Sequence, residues 1–321
     1  MRRSQGNVRP GWNSRSRVDY AVITPVRDEA RHLPRLARSL ADQQLPPRRW
    51  MIVDDGSTDG TRELAQQLAA RHDWIEAIDS GARHDRARGG PIVRAFNLGL
   101  ERLRALPDFV VKLDGDLYLP PHYFAWVAET FARDPRAGIV GGTVLVHDRD
   151  RWTPDTVSAH NVHGAAKAYR SACLRDIGGL TPSMGWDGID EYAARARGWH
   201  ARVLSELTIL HYDKRGAKQP WWKARFEEGI GAHHMGYRPD FLALRVGYRM
   251  VFEHPPLLGG LVLGAGYAWG RLRRVPQVDD PAARAALRDE QRLRMRQLVR
   301  GRRVPRNGGP VDGPAFWAGA R

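Results

Sequence analysis

Between residues 20 and 113, short apolar runs alternate with segments whose apolar residues recur at helical spacing. The apolar runs are 20–24, 50–53, 74–78 and 109–113, and the helical segments between them are 28–43, 58–70 and 91–103. Strands that alternate with helices at this spacing form parallel β-α-β units. The pattern therefore predicts an α/β fold built around a mostly parallel sheet.

A polar cluster follows three of these predicted strands. The clusters are Thr24-Pro25, Asp54-Asp55 and Asp114-Gly115-Asp116. Because the ligand crevice of such a sheet lies outside the carboxyl ends of its strands, we expect the three clusters to converge on one crevice. Asp and Gly are ordinary turn residues, which explains any one of these clusters. A role in turns explains less well why all three clusters lie at equivalent strand ends.

Asp114 and Asp116 place two carboxylates two residues apart on a tight turn. Hard oxygen ligands of this kind suit Mg2+ or Mn2+, and such ions leave coordination sites for phosphate oxygens. A nucleoside diphosphate develops negative charge when it departs, and a bridging cation stabilises that charge. Asp-X-Asp is a weak motif by itself, and its position after an apolar strand strengthens the prediction of a Mg2+ or Mn2+ site.

Four segments resemble motifs of the family 2 glycosyltransferases, and they occur in the order found in that family. They are residues 23–29 (ITPVRDE), 53–61 (VDDGSTDGT), 89–99 (GGPIVRAFNLG) and 114–116 (DGD). The resemblance covers about residues 19–150. It implies a GT-A fold, in which a Rossmann-like nucleotide-binding half with a mostly parallel sheet joins an acceptor half. It also implies an inverting sugar transfer from a nucleoside diphosphate sugar.

The resemblance implies which residues form the pocket for the nucleoside of the donor. Pro25, Val26 and Glu29 would line the pocket for the nucleobase and ribose. Asp54 or Asp55 would hydrogen-bond the base or the ribose. The residues alone do not choose between these two aspartates.

The resemblance further implies residues for the diphosphate and the metal ion. Arg88 or Arg94 would face the diphosphate, although either is also explained as a surface charge only. Asp114 would contact the ribose or the metal, and Asp116 would ligate the metal. His211 follows a late apolar run and either completes the metal site or is a structural histidine.

An inverting transfer needs a base for the acceptor hydroxyl, and family members commonly provide an Asp from a Glu-Asp pair at a helix start. The matching segment here is 186–191 (WDGIDE), in which Trp186 replaces the Glu. Asp187 then matches the base by position, with Asp190 as its competitor. Alternatively, Asp187 only caps the helix. Trp186 would stack on an acceptor sugar or belong to the core.

Positive charge lies outside the predicted catalytic domain. Residues 1–17 hold five arginines and no acidic residue, and residues 216–321 hold nineteen lysines or arginines against nine acidic residues. We therefore predict a disordered basic tail (1–17), a neutral GT-A domain (18–215), a basic helical membrane-proximal extension (216–300) and a second disordered tail (301–321). The charge indicates either solvated faces or attraction to an anionic surface.

Residues 255–270 are uncharged and precede a cluster of arginines. The run is shorter than the ~20 residues that cross a bilayer, so it suits shallow membrane insertion or a buried helix. Residues 1–20 lack an apolar signal segment, and the chain has one cysteine, Cys173. We predict a cytoplasmic protein, peripheral on the inner membrane, that acts on a glycan or a lipid-linked acceptor in cell-surface polysaccharide or glycolipid synthesis.

Two other functions compete with sugar transfer. A sugar-nucleotide nucleotidyltransferase would carry a glycine-rich loop after the first strand, whereas residues 24–27 read TPVR. A basic scaffold or nucleic-acid-binding protein would fit the terminal charge, but no nucleic-acid module is recognisable. A nucleic-acid partner is therefore not expected.

Overall fold

The computed structural model describes residues 18–81, 90–148, 151–155, 161–183, 185–212, 220–253 and 255–299. The two predicted tails, 1–17 and 301–321, lie outside the described residues. Arg88, one of the two arginines considered for the diphosphate, also lies outside them.

Four parallel strands form the first half of one sheet. They are β1 (Tyr20–Val26), β2 (Arg49–Asp54), β3 (Ile75–Asp79) and β4 (Phe109–Leu113), and the helices between them are α1 (Leu33–Ala41), α2 (Thr61–Arg71) and α3 (Gly90–Glu101). The strands lie in the order β3-β2-β1-β4. This arrangement confirms the predicted parallel β-α-β units. Helix α1 begins later than residue 28 because Asp28 has a positive φ of 57° in a turn.

Apolar clusters cover both faces of this sheet. Successive strand residues point to opposite faces, so Val22 belongs to one cluster and Ile23 to the other. Helix α3 approaches the sheet closely at Gly99, where a Cβ atom would lie 2.6 Å from Cγ2 of Ile23. A larger residue at position 99 would push α3 away from the strands whose ends form the crevice.

The second half of the sheet is mostly antiparallel. Its elements are β5 (Leu117–Tyr118), α4 (Tyr123–Arg133), β6 (Ala137–Asp148), β7 (Arg151–Pro154), β8 (Ala166–Arg170), α5 (Ser171–Asp176), α6 (Trp186–Ala196) and β9 (His200–His211). The sheet continues from β4 in the order β8-β6-β9-β5, with β7 beside β6. Strand β8 is antiparallel to β4, whereas β6 and β9 are parallel to each other.

The polar segment 147–162 contains more regular structure than its sequence predicts. Residues 147–162 are polar and irregular in sequence, which predicts a loop, but β6 extends to Asp148 and pairs with β7 through residues such as His147 and Trp152. The pairing is antiparallel and short. Alternation over so few residues gives little sequence signal, because the partner strand decides the pairing.

Helices make up the C-terminal region, as predicted. They are α7 (Trp221–His234), α8 (Pro239–Phe252), α9 (Leu258–Leu272) and α10 (Pro281–Val299). Helix α9 packs closely on α7, and α10 packs on α6. None of the helices in the described part of the chain combines the length and the apolar character needed to cross a bilayer.

Candidate active site at the carboxyl edge of the sheet

The loops that follow β1 and β2 are bonded to each other. The backbone N–H of Asp55 donates to the carbonyl oxygen of Val26 at 2.9 Å. The N–H of Glu29 donates to Oγ1 of Thr61 at 2.8 Å. A Cβ atom at Gly115 would lie 3.1 Å from Val26 and 3.2 Å from Glu29. Three of the predicted nucleoside-pocket residues therefore lie beside the turn that carries Asp114 and Asp116.

The two aspartates after β2 have different surroundings. Asp54 is buried, and its carboxylate accepts hydrogen bonds from the N–H of Ser57 at 3.2 Å and from Nε of Arg62 at 3.0 Å. Asp55 is only half-buried and accepts a hydrogen bond from Oγ of Ser80 at 3.2 Å. Asp54 thus holds the turn together, and Asp55 is the more accessible of the two to a ligand.

Arg94 lies one turn into α3, on an exposed face. Its guanidinium lies beside the first residue of the helix, since a Cβ at Gly90 would be 3.1 Å from it. The first turn of a helix presents unpaired N–H groups that favour anions. Pro25 is half-buried at the end of β1. Both residues remain predicted donor contacts.

Asp114, Asp116 and His211 form the candidate metal centre. Their ligand atoms all lie within 4.8 Å of one another. His211 reaches the turn because β9 pairs with β5, with Leu117 opposite His211. Nε2 of His211 lies 2.9 Å from Oδ2 of Asp116, and both side chains are buried. Two carboxylates and one imidazole are a suitable ligand set for Mn2+ and, through the carboxylates, for Mg2+.

Lys112 is a buried cation next to this centre. It lies in the middle of β4, and its ammonium group forms an ion pair with Oδ1 of Asp114. It also donates a hydrogen bond to the carbonyl oxygen of Gly164 at 2.8 Å. Lys112 therefore fixes the orientation of the Asp114 carboxylate and ties it to the segment before β8.

Asp187 lies against the same segment. A Cβ atom at Gly164 would be 2.7 Å from Oδ2 of Asp187, so only glycine leaves room for this carboxylate. The N-cap of α6 is Gly185, with φ of 80°, and Asp187 lies inside the first turn. The interpretation of Asp187 as a simple N-cap therefore does not hold. Gly164 connects Asp187, through Lys112, to Asp114.

Asp190 belongs to a closed and buried ionic network. Its exposed fraction is 4%. Nζ of Lys167 lies 3.0 and 2.9 Å from its two carboxylate oxygens, and the hydroxyl of Tyr169 donates to Oδ2 at 2.6 Å. Lys167 also donates to Oε1 of Glu191 at 3.0 Å and to the carbonyl oxygen of Asp187 at 2.6 Å. One lysine thus holds the first turns of α6.

Burial dominates the titration of this network. It raises the pKa of Glu191 to about 7 and raises the pKa of Asp190, while the charge of Lys167 opposes both shifts. Burial disfavours the charged form of Lys167 as well, but the two carboxylates hold its pKa above the ordinary value. The carboxyl group of Glu191 on α6 therefore changes its protonation near neutral pH.

Trp186 is buried, with an exposed fraction of 6%. Its ring centroid lies 5.2 Å from Nζ of Lys112 and 5.9 Å from Nζ of Lys167. Cations at such distances from an indole face are attracted to it. Trp186 therefore packs between the two lysines, as the core interpretation expects, and its contact with an acceptor sugar stays a prediction.

Sequence reasoning missed both lysines, although each leaves a signal. Lys112 interrupts the otherwise apolar strand FVVKL, and Lys167 interrupts AKAYR. A lysine within a strand that is buried on both faces must be paired, because burying an isolated charge is very costly. Such a residue predicts a nearby carboxylate, but the sequence does not say which one.

Comparison with known families gives one match along the chain. Residues 21–184, slightly more than half of the 321 residues, match a model of the family described as glycosyl transferase family 2. The matched range contains all four resembling segments in full, and it ends just before α6.

Two similar proteins have been named for a biosynthetic or transfer function. The succinoglycan biosynthesis protein ExoA of Rhizobium meliloti is 31% identical over 103 residues, which are 32% of this chain and 29% of that protein. The glycosyltransferase AglE of Haloferax volcanii is 30% identical over 128 residues, which are 39% of this chain and 38% of that protein. The matches span less than half the length of each relative.

Solved structures resemble most of the chain. The mannosyltransferase PcManGT from Pyrobaculum calidifontis, in complex with GDP-Man and Mn2+, has a TM-score of 0.54 at 19% identity and covers 89% of this chain and 83% of its own. Residues 1–349 of S. aureus TarS, in complex with UDP-GlcNAc, have a TM-score of 0.54 at 16% identity. The likeness covers 93% of this chain and 98% of that structure. The likeness is one of fold, and the fold is the predicted GT-A fold with helices at its C-terminal end.

Proposed function

The chain belongs to glycosyl transferase family 2, and on this premise we propose that it transfers a sugar from a nucleoside diphosphate sugar to a hydroxyl group of a glycan or lipid-linked acceptor. The transfer proceeds with inversion. The observation that carries the proposal is the cluster of Asp114, Asp116 and His211 beside the bonded loops after β1 and β2.

The donor binds across the carboxyl edge of the sheet. Pro25, Val26 and Glu29 surround the nucleoside, and Asp55 accepts a hydrogen bond from the base or ribose. We favour Asp55 over Asp54 because the carboxylate of Asp54 already holds Ser57 and Arg62. The two solved structures of similar fold, which contain GDP-Man and UDP-GlcNAc, support a sugar nucleotide as the donor.

Asp114, Asp116 and His211 would hold a divalent cation, Mn2+ or Mg2+. When bound, the cation stabilises the negative charge that develops on the leaving nucleoside diphosphate. Lys112 pairs with one oxygen of Asp114, which leaves the other oxygen for the cation. Arg94, near the first turn of α3, adds positive charge for the phosphates.

Asp187 is the general base. Asp190 accepts hydrogen bonds from Lys167 and Tyr169, and its own oxygens are buried, so it is poorly placed to take a proton from an acceptor. The carboxylate of Asp187 packs on Gly164, whose carbonyl oxygen is bonded to Lys112. This connection supports a base close to the metal-binding carboxylates.

The transfer is a single displacement. The acceptor hydroxyl gives its proton to the Asp187 carboxylate, and its oxygen forms a bond to the anomeric carbon. The bond between that carbon and the phosphate oxygen breaks, and its electron pair leaves with the nucleoside diphosphate. Attack from the face opposite the leaving group inverts the configuration of the anomeric carbon.

We place this reaction at the cytoplasmic face of the inner membrane, in the synthesis of a cell-surface polysaccharide or glycolipid. The positive charge of the two terminal regions supports attraction to an anionic leaflet. The similarity to a succinoglycan biosynthesis protein supports a polysaccharide product. A lipid-linked acceptor fits both observations.

A thermal-shift panel of UDP, GDP and TDP, each with and without Mn2+ or Mg2+, tests the donor and metal assignment. At least one nucleotide should raise the unfolding temperature only when the metal is present, because a ligand that binds the native state stabilises it by mass action. Asp116→Asn should remove the metal-dependent shift. Asp289→Asn, which changes an exposed carboxylate on α10, is the matched control.

An unchanged metal-dependent shift in a folded Asp116→Asn protein would contradict the metal assignment. An activity assay then uses the sugar nucleotides whose nucleoside diphosphates stabilise the protein. Release of nucleoside diphosphate supports a transferase. Release of pyrophosphate from a nucleoside triphosphate and a sugar phosphate would instead identify a nucleotidyltransferase.

A further inference from the structure

Helix α8 exposes a row of large apolar side chains. Leu244, Tyr248, Val251 and Phe252 recur at helical spacing, and Val251 is 69% exposed. Residues at such intervals share one face of a helix. After Asp240, all the exposed residues of α8 are uncharged. A row of this size on the outside of a helix needs a partner or an apolar environment.

Helix α9 continues this row on the other arm of a helical hairpin. Leu257 and Leu258 are exposed at its start, Leu261 and Trp269 along its length, and Leu272 is 76% exposed at its end. The other exposed residues of α9 before Arg271 are alanines. We call the combined surface the apolar face; it consists of Leu244, Tyr248, Val251, Phe252, Leu257, Leu258, Leu261, Trp269 and Leu272.

Other residues of both helices pack on α7. Arg245 and Arg249 of α8 form ion pairs with Glu228 of α7. A Cβ atom at Gly266 of α9 would overlap the carbonyl oxygen of Phe226 of α7. These contacts fix both helices on α7, while the residues of the apolar face stay exposed.

The helix formed by the run 255–270 has a buried side and an exposed side. Leu263 is completely buried, and a Cβ atom at Gly260 would lie 2.5 Å from Met250 of α8, so one side of α9 is core. Leu261 and Trp269 lie on the exposed side. Substitutions that test the surface must avoid Leu263.

Cationic and aromatic residues border the apolar face. Arg271, Arg273 and Arg274 are exposed at the end of α9, and none of them is ion-paired with any carboxylate in the described ranges. The guanidinium of Arg273 lies 4.4 Å from the ring centroid of Trp269.

The start of α7 adds to this border. Trp221, Trp222 and Lys223 are exposed there. They lie near the turn between α8 and α9, because Arg225, on the first turns of α7, forms an ion pair with Glu253 at 3.0 Å. Aromatic rings beside cations, next to exposed aliphatic residues, are the composition of surfaces that lie in the headgroup region of a bilayer.

We propose that the apolar face inserts shallowly into an anionic bilayer, with Arg271, Arg273 and Arg274 on the lipid headgroups. A second copy of the chain is a less suitable occupant. The acidic residues at the two ends of α8, Asp240 and Glu253, are already paired with arginines of the same chain, so the hairpin of a facing copy would offer little negative charge to the three arginines. An anionic lipid provides that charge.

The surface is attached to the proposed catalytic helix. Gly185, at the start of α6, packs on Met235 at the end of α7, with 2.8 Å between the position of a Cβ atom and Sδ. Helices α8 and α9, which pack on α7, are therefore joined to the helix that carries Asp187. Binding of α8 and α9 to a membrane would orient Asp187 relative to that membrane. The inference deepens the proposed location at a membrane face and does not depend on sugar transfer.

Vesicle flotation of the full chain tests the proposal. Phosphatidylcholine vesicles, with and without phosphatidylglycerol, are used at low and high salt. The protein should float with the anionic vesicles, and part of the binding should persist at high salt because apolar insertion is not screened. Replacing the three arginines by Gln should lower the partition coefficient roughly fivefold for each arginine, the equivalent of ~1 kcal/mol.

The triple substitution Val251→Ser, Leu261→Ser and Leu272→Ser should remove the salt-resistant binding. The matched control is Leu293→Ser, which changes an exposed leucine on α10 outside the surface. Unfolding midpoints show that each variant is folded, and nucleotide binding is measured separately. Unchanged flotation of the folded triple variant would overturn the proposal. A native protein that does not float would also overturn the proposal. If that protein instead forms a dimer that the triple substitution disrupts, a second copy of the chain covers the apolar face.

Discussion

Asp187 and Asp190 lie three residues apart on α6. The side chain of Asp187 is half-buried, whereas that of Asp190 is buried and bonded to Lys167 and Tyr169. We expect Asp187→Asn to keep nucleotide binding and to lower turnover about 10²–10⁴-fold, because a base acts on the acceptor proton and not on the donor. Asp190→Asn should instead lower stability by roughly 3–5 kcal/mol, because it leaves Lys167 buried with less negative charge. Turnover and denaturant unfolding of both variants separate the two effects.

The two aspartates control for each other. Both substitutions keep the size of the side chain and remove one negative charge. An active Asp187→Asn enzyme together with a folded but inactive Asp190→Asn enzyme would show that Asp190 is the base.

Glu191 should make the stability of the protein depend on pH. Burial raises its pKa to about 7 in the folded protein, above the ordinary value of 4.5. Between these two values the folded state keeps a proton that the unfolded chain releases. The free energy of unfolding therefore falls as the pH rises through this window, and the loss is complete above about pH 7.

Glu191→Gln removes this titration and keeps an amide oxygen that accepts the N–H of Val162, a bond of 2.8 Å in the native protein. We expect its unfolding free energy to fall less than that of the native protein between pH 5 and pH 8. Urea unfolding at several pH values measures both curves. Parallel curves would mean that Glu191 is ionised throughout.

Glycine controls how closely the C-terminal helices pack. At Gly266 of α9, a Cβ atom would overlap the backbone of Phe226. Gly266→Ala should therefore destabilise the protein by ~1–3 kcal/mol, the usual cost of overpacking. At Gly247 of α8, a Cβ atom would meet nothing within 4 Å, so Gly247→Ala should stabilise the helix by about 0.5–1 kcal/mol.

Thermal unfolding of these two alanine variants compares the same chemical change in two settings. Opposite shifts of the midpoint are expected. Equal shifts would show that the contact between α7 and α9 does not limit stability.

The parallel strands were the easiest elements to predict from the sequence. β1, β2 and β4 are apolar runs bounded by polar turns, and their carboxyl ends meet, so Val26, Asp55 and Asp114 converge as expected. The strand β7 was missed because its pairing with β6 gives almost no local signal. The alternation of apolar runs with helical segments is visible in a sequence, whereas the strand with which a short segment pairs is not.

The site was predictable to a similar extent. Asp114 and Asp116 follow β4 and His211 is the last residue of β9, and a sequence reveals such positions at strand ends. The pairing of Lys167 with Asp190 joins residues 23 positions apart on different elements. Such a pair depends on tertiary packing, so the sequence shows only that a buried lysine needs a carboxylate.

At the scale of the whole molecule, the predicted boundary at residue 215 separates two regions that share a core. Ile189 and Tyr192 of α6 belong to an apolar cluster with Ala283 and Leu287 of α10. Ion pairs from Arg195 to Glu290, and from Arg197 to Asp280 at 2.8 Å, join the same helices. The helix that carries the proposed base is therefore covered by the C-terminal extension.

A fragment of residues 18–215 should consequently be less stable than a fragment of residues 18–299. Its α6 would expose apolar side chains whose burial is worth ~1.5–3 kcal/mol each. We expect faster hydrogen exchange in α6, a lower unfolding midpoint and weaker transfer activity, while β1 to β4 keep their protection because their core does not involve α10. Hydrogen exchange resolved by segment measures this difference. Equal protection of α6 in the two fragments would mean that residues 18–215 fold independently, as a separate catalytic domain.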